Sequence, residues 1–426
     1  MINRNTHEIR KIFLRFFQEK DHLILPGSKL VPSERNSSLL FTNAGMNQFR
    51  ENFFKKEKLS SFTRVATSQY CIRAGGKFSD LENVGYTNSH HTLFEMLGNF
   101  SFGDYFRSES IEYAWELLTS KKWFGISKNK ILITVHHLDE ESYDIWANQI
   151  GISKNKIFKI EDKENHKYHS ENFWKMGKTG PCGPSTEIFY NFDEKDDFDG
   201  SLESFERRKK NFIEIWNIVF IQFNLNSSNK LEPLRYKSID TGMGLERIAS
   251  VIQNVKSNYQ IDTFKKLIQS IRSQFSAICF KDYTLRILSD HIRSIVLIIN
   301  ENIKPSNVGR GYVIRKIIRR AVRKGYLDGI REPFLYKIVS CFTRSNEKDF
   351  KYVKINQKII EHTIKKEEKQ FLKIILVGIK FLKEKLKNFN YRFISEKDIF
   401  LLHDTYGLPI DIAMKICKEH GTSIKR

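Results

Sequence analysis

The chain has 426 residues, 40% hydrophobic and 13% aromatic, which is enough apolar material for two or three cores and unlike the composition of a disordered chain. No apolar run reaches the roughly 20 residues of a membrane-spanning helix. Five cysteines, scattered and without a C-x-x-C pair, argue against a disulfide framework or a structural zinc site.

The formal charge of +21 is unevenly spread. Residues 251–426 hold 36 Lys and Arg against 17 Asp and Glu, a balance of +19, which leaves +2 for residues 1–250. A near-neutral part suited to chemistry and a basic part suited to a polyanion are therefore expected, with a boundary near 250–258. Some of the lysine belongs to solvated surface.

In chain order, Ile9, Ile12, Phe13, Phe16 and Phe17 predict an amphipathic first helix rather than an export signal, and the cytosol is the expected compartment. Residues 64–106 read as a hairpin. One strand ends near Arg73, a glycine-rich loop follows, and a second strand carries Leu93 to Phe102. Ser108–Ser120 reads as a helix capped by Ser108 or Ser110. Lys130–His136 and Phe212–Phe223 read as strands, Gly177–Pro184 as turn-rich punctuation, and Asp193–Asp199 as an acidic surface loop. Ser238–Ser250 predicts a strand running into Gly242 and Gly244, then a helix bearing Arg247.

From Asn258 onward the pattern is helix after helix. In Gly309–Gly325, Val313, Ile314, Ile317, Ile318, Ala321 and Val322 form one face. Arg315, Lys316, Arg319, Arg320, Arg323 and Lys324 form the other. Lys351–Lys387 predicts one long helix or a helical pair, with Ile355, Ile359, Ile360, Ile364, Phe371 and Ile375 among its apolar positions.

Common nucleotide motifs are absent. Gly177-Lys178-Thr179 imitates the end of a P-loop, but the earlier glycine would fall at Asn172, and no G-x-G-x-x-G follows a strand. Two stretches carry other phosphate chemistry. Arg73 and Lys77 flank Gly75-Gly76, where backbone can approach a phosphate, an arginine fork can make two contacts and a lysine one. Gly242 and Gly244 clear space into which Arg247 can project. An ordinary charged loop and a tight strand-to-helix turn are the plainer readings of the two.

Long collinear strings settle the comparison: LLFTNAGMNQF from Leu39, TGPCGPSTEIFY from Thr179, EIWNIVFIQFN from Glu214, DTGMGLERIA from Asp240, SDHIRS from Ser289 and GRGYVIRKIIRRAVRKG from Gly309. From about Glu8 to Gly421 the chain closely resembles bacterial-type alanyl-tRNA synthetases of class II. The resemblance implies an α+β fold, with an antiparallel sheet flanked by helices over residues 1–250 and an all-helical acceptor-stem domain over 251–426. It implies alanine activation by ATP, with Mg²⁺ bridging the phosphates, and transfer to the 3′ end of tRNA(Ala).

By resemblance, Arg73 bridges the α-phosphate and the amino-acid carboxylate, Arg247 holds the γ-phosphate, Lys77 and His90 reach the phosphates, and Phe94 stacks on adenine beside Gly242 and Gly244. Asp240 binds the ammonium of alanine, with Trp174 and Asn217 in the pocket. Asn307 and Asp404 flank a G·U wobble pair in the acceptor stem, and Arg310, Arg315, Arg319, Arg320 and Arg323 meet its phosphates. The family's hydrolytic editing domain and oligomerising tail follow beyond this stretch. Its H-x-x-x-H and C-x-x-x-H zinc spacings do not occur here, so no zinc, no editing in cis and a monomer are expected. The competing readings are an amino-acid-activating paralogue without tRNA charging and a non-catalytic tRNA-binding module.

Overall fold

A computed structural model describes residues 4–32, 39–54, 62–75, 79–163, 166–193, 199–345, 349–388 and 393–425. Two compact units divide the chain. One comprises Met1–Ile72 with Phe94–Asp262, the other Arg73–Leu93 with Thr263–Arg426.

The first unit opens with α1 (Thr6–Gln18), followed by β1 (Leu23–Pro26), β2 (Arg64–Ile72), β3 (Leu93–Phe102), α2 (Arg107–Thr119), β4 (Ile131–His136) and α3 (Glu140–Asp144). It continues through β5 (Ile157–Ile160), β6 (Phe173–Lys175), β7 (Gly180–Asn191), α4 (Leu202–Arg208), β8 (Phe212–Leu225), β9 (Leu231–Gly244) and α5 (Leu245–Ile252). The strands form a nine-stranded sheet in the order β1-β2-β3-β9-β8-β7-β4-β5, with β6 on β7. Its centre, β3-β9-β8-β7-β4, is antiparallel. The pairs β1-β2 and β4-β5 are parallel, so the expected antiparallel sheet forms the centre and parallel pairs lie at both edges.

A capping box starts α1. The Asn5 side chain accepts from the Glu8 N–H, and the Glu8 carboxylate accepts from the Asn5 N–H. Its apolar stripe is then driven onto the sheet. Phe13 and Phe17 lie 5.9 and 6.3 Å from the Trp216 ring, and Phe16 meets Trp123 edge-on at 5.1 Å. Each such ring is fully buried and contributes roughly 1.5–3 kcal/mol by leaving water.

Two local expectations fail. The stretch expected as turns, Gly177–Pro184, enters strand β7 at Gly180, and the strand is buried from Gly180 to Tyr190. Gly183 explains it: a Cβ there would sit 1.9 Å from the Phe220 carbonyl oxygen, so glycine admits the neighbouring strand and a bulge follows. Helix α2 has Phe106 as its N-cap without a side-chain cap bond, and Ser110 donates instead to the Arg107 carbonyl. Residues 194–198 of the expected acidic loop lie outside the described residues.

In the second unit α6 (Asp262–Gln274) leads to α7 (Asp282–Asn300), α8 (Gly309–Leu327), α9 (Leu335–Ser345), α10 (Val353–Asn388), α11 (Glu396–Tyr406) and α12 (Ile410–Glu419). Two short strands, β10 (Phe393–Ser395) and β11 (Ser423–Lys425), pair in parallel. Helix α7 is buried almost throughout from Thr284 to Ile299. Helix α10 is single and unbroken, but Ile355 and Ile359 face solvent rather than the core. Buried Glu368 on α10 accepts the N–H groups of Phe334, Leu335 and Tyr336, satisfying the orphan donors that open α9. Among the described residues no helix is long and apolar enough to cross a membrane.

Candidate active site and nucleic-acid interface

In the first unit, sheet register fixes the candidate pocket. Asn217 on β8 lies opposite Gly242 on β9, and Val219 opposite Asp240. Glu187 on β7 lies opposite Asn217, and Phe100 on β3 opposite Asp240. Cross-strand partners share a face, as do residues two apart on one strand. Glu187, Asn217, Asp240 and Gly242 therefore occupy one face. Trp174 packs against the cluster containing Phe100 and Val219. Register and packing thus bring Trp174, Asn217 and Asp240 together on one side of the sheet.

That face is short of positive charge. Asp240 is 8% exposed, and burial pushes its carboxyl up to about 7. Among the described residues nothing hydrogen-bonds to it or pairs with it. Asn217 Nδ2 donates to Glu187 Oε1 at 3.1 Å, while buried Asn217 Oδ1 has no partner among the described residues. Burial, then repulsion from Glu214, raises the Glu187 carboxyl well above the carboxylate range. A buried carboxyl group and an unmet amide acceptor favour a small cationic group with N–H donors.

Arg247, in the first turn of α5, directs Nη1 to the Glu214 carbonyl at 3.0 Å and to its carboxylate at 2.8 Å. Gly242 makes room for a side chain of the protein itself, since a Cβ there would lie 2.9 Å from the Met96 sulfur. Gly244 precedes α5 as its N-cap. Phe94 is half-buried on β3.

In the second unit, Arg73 begins the segment that ends at Leu93. Its N–H donates to the Thr92 carbonyl at 2.9 Å, and its carbonyl accepts from Asp80 at 3.0 Å. His90 Nδ1 lies 2.9 Å from Thr87 Oγ1. Lys77 lies outside the described residues.

The same unit carries a basic groove of about 310 Å³. Arg315, Lys316, Arg319, Arg320 and Arg323 line one wall, with Phe371 and His403 among the other lining residues. Arg315 and Arg319 converge on buried Glu367 at 3.2 and 2.8 Å, and Arg319 lies over the Phe371 ring. Arg315 also donates to the Asn307 side-chain oxygen. Asp404 is exposed beside His403, and Arg310 is half-buried at the start of α8.

The two-face reading of α8 needs correction. Arg320 and Lys324 are 5% and 8% exposed. Arg320 turns its guanidinium inward to His291 and the Val84 carbonyl, and Lys324 reaches Asp411. Their helical positions fall at the edge of the apolar stripe, where long stems can be covered while polar heads find partners.

Among the described residues, His136, His137 and Asp162 form the group whose ligand atoms lie within 4.8 Å of one another. His136 Nε2 stands 3.4 Å from Asp162, and burial lowers the imidazole's pKa.

Sequence reasoning gave Glu187 no chemical role and did not single out Glu367. Glu187 sits within an apolar strand, which hints at a partnered buried acid. Glu367 sits in a charged run, KKEEK, that reads as surface.

The chain belongs to the tRNA synthetases class II (A), whose family pattern matches residues 8–426. It is 53% identical over 423 residues to the alanine–tRNA ligase of Buchnera aphidicola subsp. Schizaphis graminum, covering 99% of this chain and 47% of that protein. It is 52% identical over 424 residues to the alanine–tRNA ligase of B. aphidicola subsp. Acyrthosiphon pisum, covering 99% and 48%. The chain thus spans about half the length of the curated relatives it matches. Solved structures of a pyrrolysyl tRNA synthetase from Desulfitobacterium hafniense (9% identity, TM-score 0.32, 60% of this chain, 71% of that one) and an aspartyl tRNA synthetase from Entamoeba histolytica (12%, 0.32, 61%, 57%) resemble it too distantly to build on.

Proposed function

We propose that this chain activates alanine with ATP and transfers it to the 3′ end of tRNA(Ala). The observation that carries the reading is Asp240, a buried carboxyl group with no cationic partner among the described residues, on the sheet face it shares with Trp174 and Asn217. An ammonium supplies the missing charge, and Trp174 and Asn217 complete the pocket for a small amino acid. The carboxylate of alanine is itself the nucleophile at the α-phosphorus, so no acid–base residue is required. Arg73 and Arg247 stabilise the charge that develops on the phosphates. Lys77 and His90 assist at the phosphates, and Phe94 stacks on adenine.

A Mg²⁺ ion bound with the triphosphate would supply charge neutralisation. Glu214, which pairs with Arg247, and Glu187, whose carboxyl is raised by burial and then by Glu214, are acidic side chains that would be offered to a divalent cation carried in on the triphosphate.

Alanine-dependent ATP–pyrophosphate exchange and tRNA(Ala) charging, measured in parallel, test the reading. Both are expected. Exchange without charging would favour the paralogue; neither would favour a binding module.

A pH profile gives a second test. Ammonium binding needs Asp240 ionised, and its carboxyl titrates at about 7 in the free protein. Apparent kcat/KM for alanine should therefore fall about tenfold per pH unit below pH 7 and level off above it. A flat profile from pH 6 to 8 would remove Asp240 from the site.

For the groove, RNA's wide minor groove exposes the guanine amino group of a G·U pair, which a carboxylate can accept. Asp404→Ala should cut the preference for wobble-pair tRNA over its G·C counterpart by about 10- to 100-fold. An undiminished preference would make Asp404 a bystander.

A further inference from the structure

The string Ser289–Ser294 was recognised above without a role. In the second unit it forms the middle of a buried chain of hydrogen bonds. Arg320, which lines the basic groove, donates from Nη1 to His291 Nε2 at 3.0 Å. His291 Nδ1 stands 3.0 Å from Asp290 Oδ2. One tautomer satisfies both contacts: Nε2 accepts from arginine, so Nδ1 carries the proton and donates to the carboxylate. Burial lowers the His291 pKa, consistent with a neutral ring.

Asp290 then accepts from the Thr92 N–H at 3.1 Å and from its hydroxyl, and His91 Nδ1 lies 3.1 Å away. The Thr92 carbonyl in turn receives the N–H of Arg73. Asp290, His291 and Thr92 are fully buried. A second arm runs from Arg320 Nη2 to the Val84 carbonyl at 3.0 Å, inside the same 73–93 segment. Arg320 therefore holds that segment at two points, while its buried Nε has no partner among the described residues.

We propose that Arg320, His291 and Asp290 are positioning residues that couple occupancy of the basic groove by RNA to the stability of residues 79–93, which carry Val84 and Thr92. RNA phosphates engage the more exposed Arg319 and Arg323 on either side, and the α8 they hold in place carries the buried Arg320, which grips Val84 directly and Thr92 through His291 and Asp290. The meaning for catalysis rests on the reading of Arg73 as the α-phosphate ligand; the coupling itself does not. None of the three residues needs to touch ATP or alanine.

The test is amide hydrogen exchange on the full chain, with and without a short RNA hairpin carrying a G·U pair in its stem. In the parent protein the RNA should slow exchange at least about fivefold both in α8 and in residues 79–93, the lower end of ordinary coupling. In Arg320→Met, α8 should still respond and residues 79–93 should not. His291→Gln, which can accept from Arg320 but cannot serve the Asp290 contact in the same geometry, should weaken the response in 79–93; it also guards against a failure of the first variant to fold, which thermal melting would reveal.

The proposal is overturned if the RNA slows α8 alone in the parent, if neither segment responds, or if residues 79–93 respond equally in the variants. A parent chain without alanine-dependent exchange of pyrophosphate would sink the functional reading only, because the amide measurement needs no catalysis.

Discussion

Asp240→Asn should make the protein harder to melt and nearly unable to activate alanine. The two effects share one cause. An aspartate with an ordinary pKa of 3.8 in the unfolded chain is pushed to about 7 on folding. A raised acid binds its proton more tightly when folded, so stability falls as pH rises from about 4 to 7 and the penalty is complete above that. The difference corresponds to about 4 kcal/mol.

Asparagine removes the buried charge and brings an amide that must find partners, at a cost of about 1–3 kcal/mol. The net gain near pH 8 is then about 1–3 kcal/mol, or roughly 2–6 °C in melting midpoint. The gain should vanish near pH 4. Activity moves the other way, because the ammonium loses its charged partner: kcat/KM for alanine should drop at least about 100-fold. Equal melting curves at pH 8, or near-normal alanine kinetics, would each contradict the account.

Arg73→Ala should lower ATP–pyrophosphate exchange by about a thousandfold, roughly 4 kcal/mol of lost transition-state stabilisation. The local fold should survive. Alanine keeps the main-chain bonds from the Arg73 N–H to the Thr92 carbonyl and from the Asp80 N–H to the Arg73 carbonyl. An unchanged melting curve with lost exchange is the expected result. Exchange near the parental rate would remove Arg73 from phosphate binding altogether.

Much of the architecture was legible because periodicity reports burial. The first helix, the hairpin strands, β9 running into α5, and the single helix α8 follow apolar spacing or strand chemistry that local sequence displays. Strand β7 was not legible, because two glycines and two prolines within Gly180–Pro184 look like turn formers when read alone. Only the approach of Phe220, a partner 37 positions away from Gly183 by number, explains why glycine is required there.

The pocket divides in the same way. Trp174, Asn217 and Asp240 were named by family resemblance, but that they share a face depends on strand register and packing, which no short window carries. Arg320 illustrates the reverse: its spacing reads as a solvated cation, and the buried His291 that captures it lies on another helix.

Glu367 has a consequence for any phosphate-bearing molecule that enters the groove. By clamping Arg315 and Arg319 it freezes two long, many-jointed side chains before a visitor arrives. Immobilising such a chain on association usually costs about 0.5–1.5 kcal/mol, and here folding has already met much of that cost. The carboxylate cancels one positive charge, yet it leaves the groove stiff, so recognition can depend on where phosphates sit as well as on how many there are.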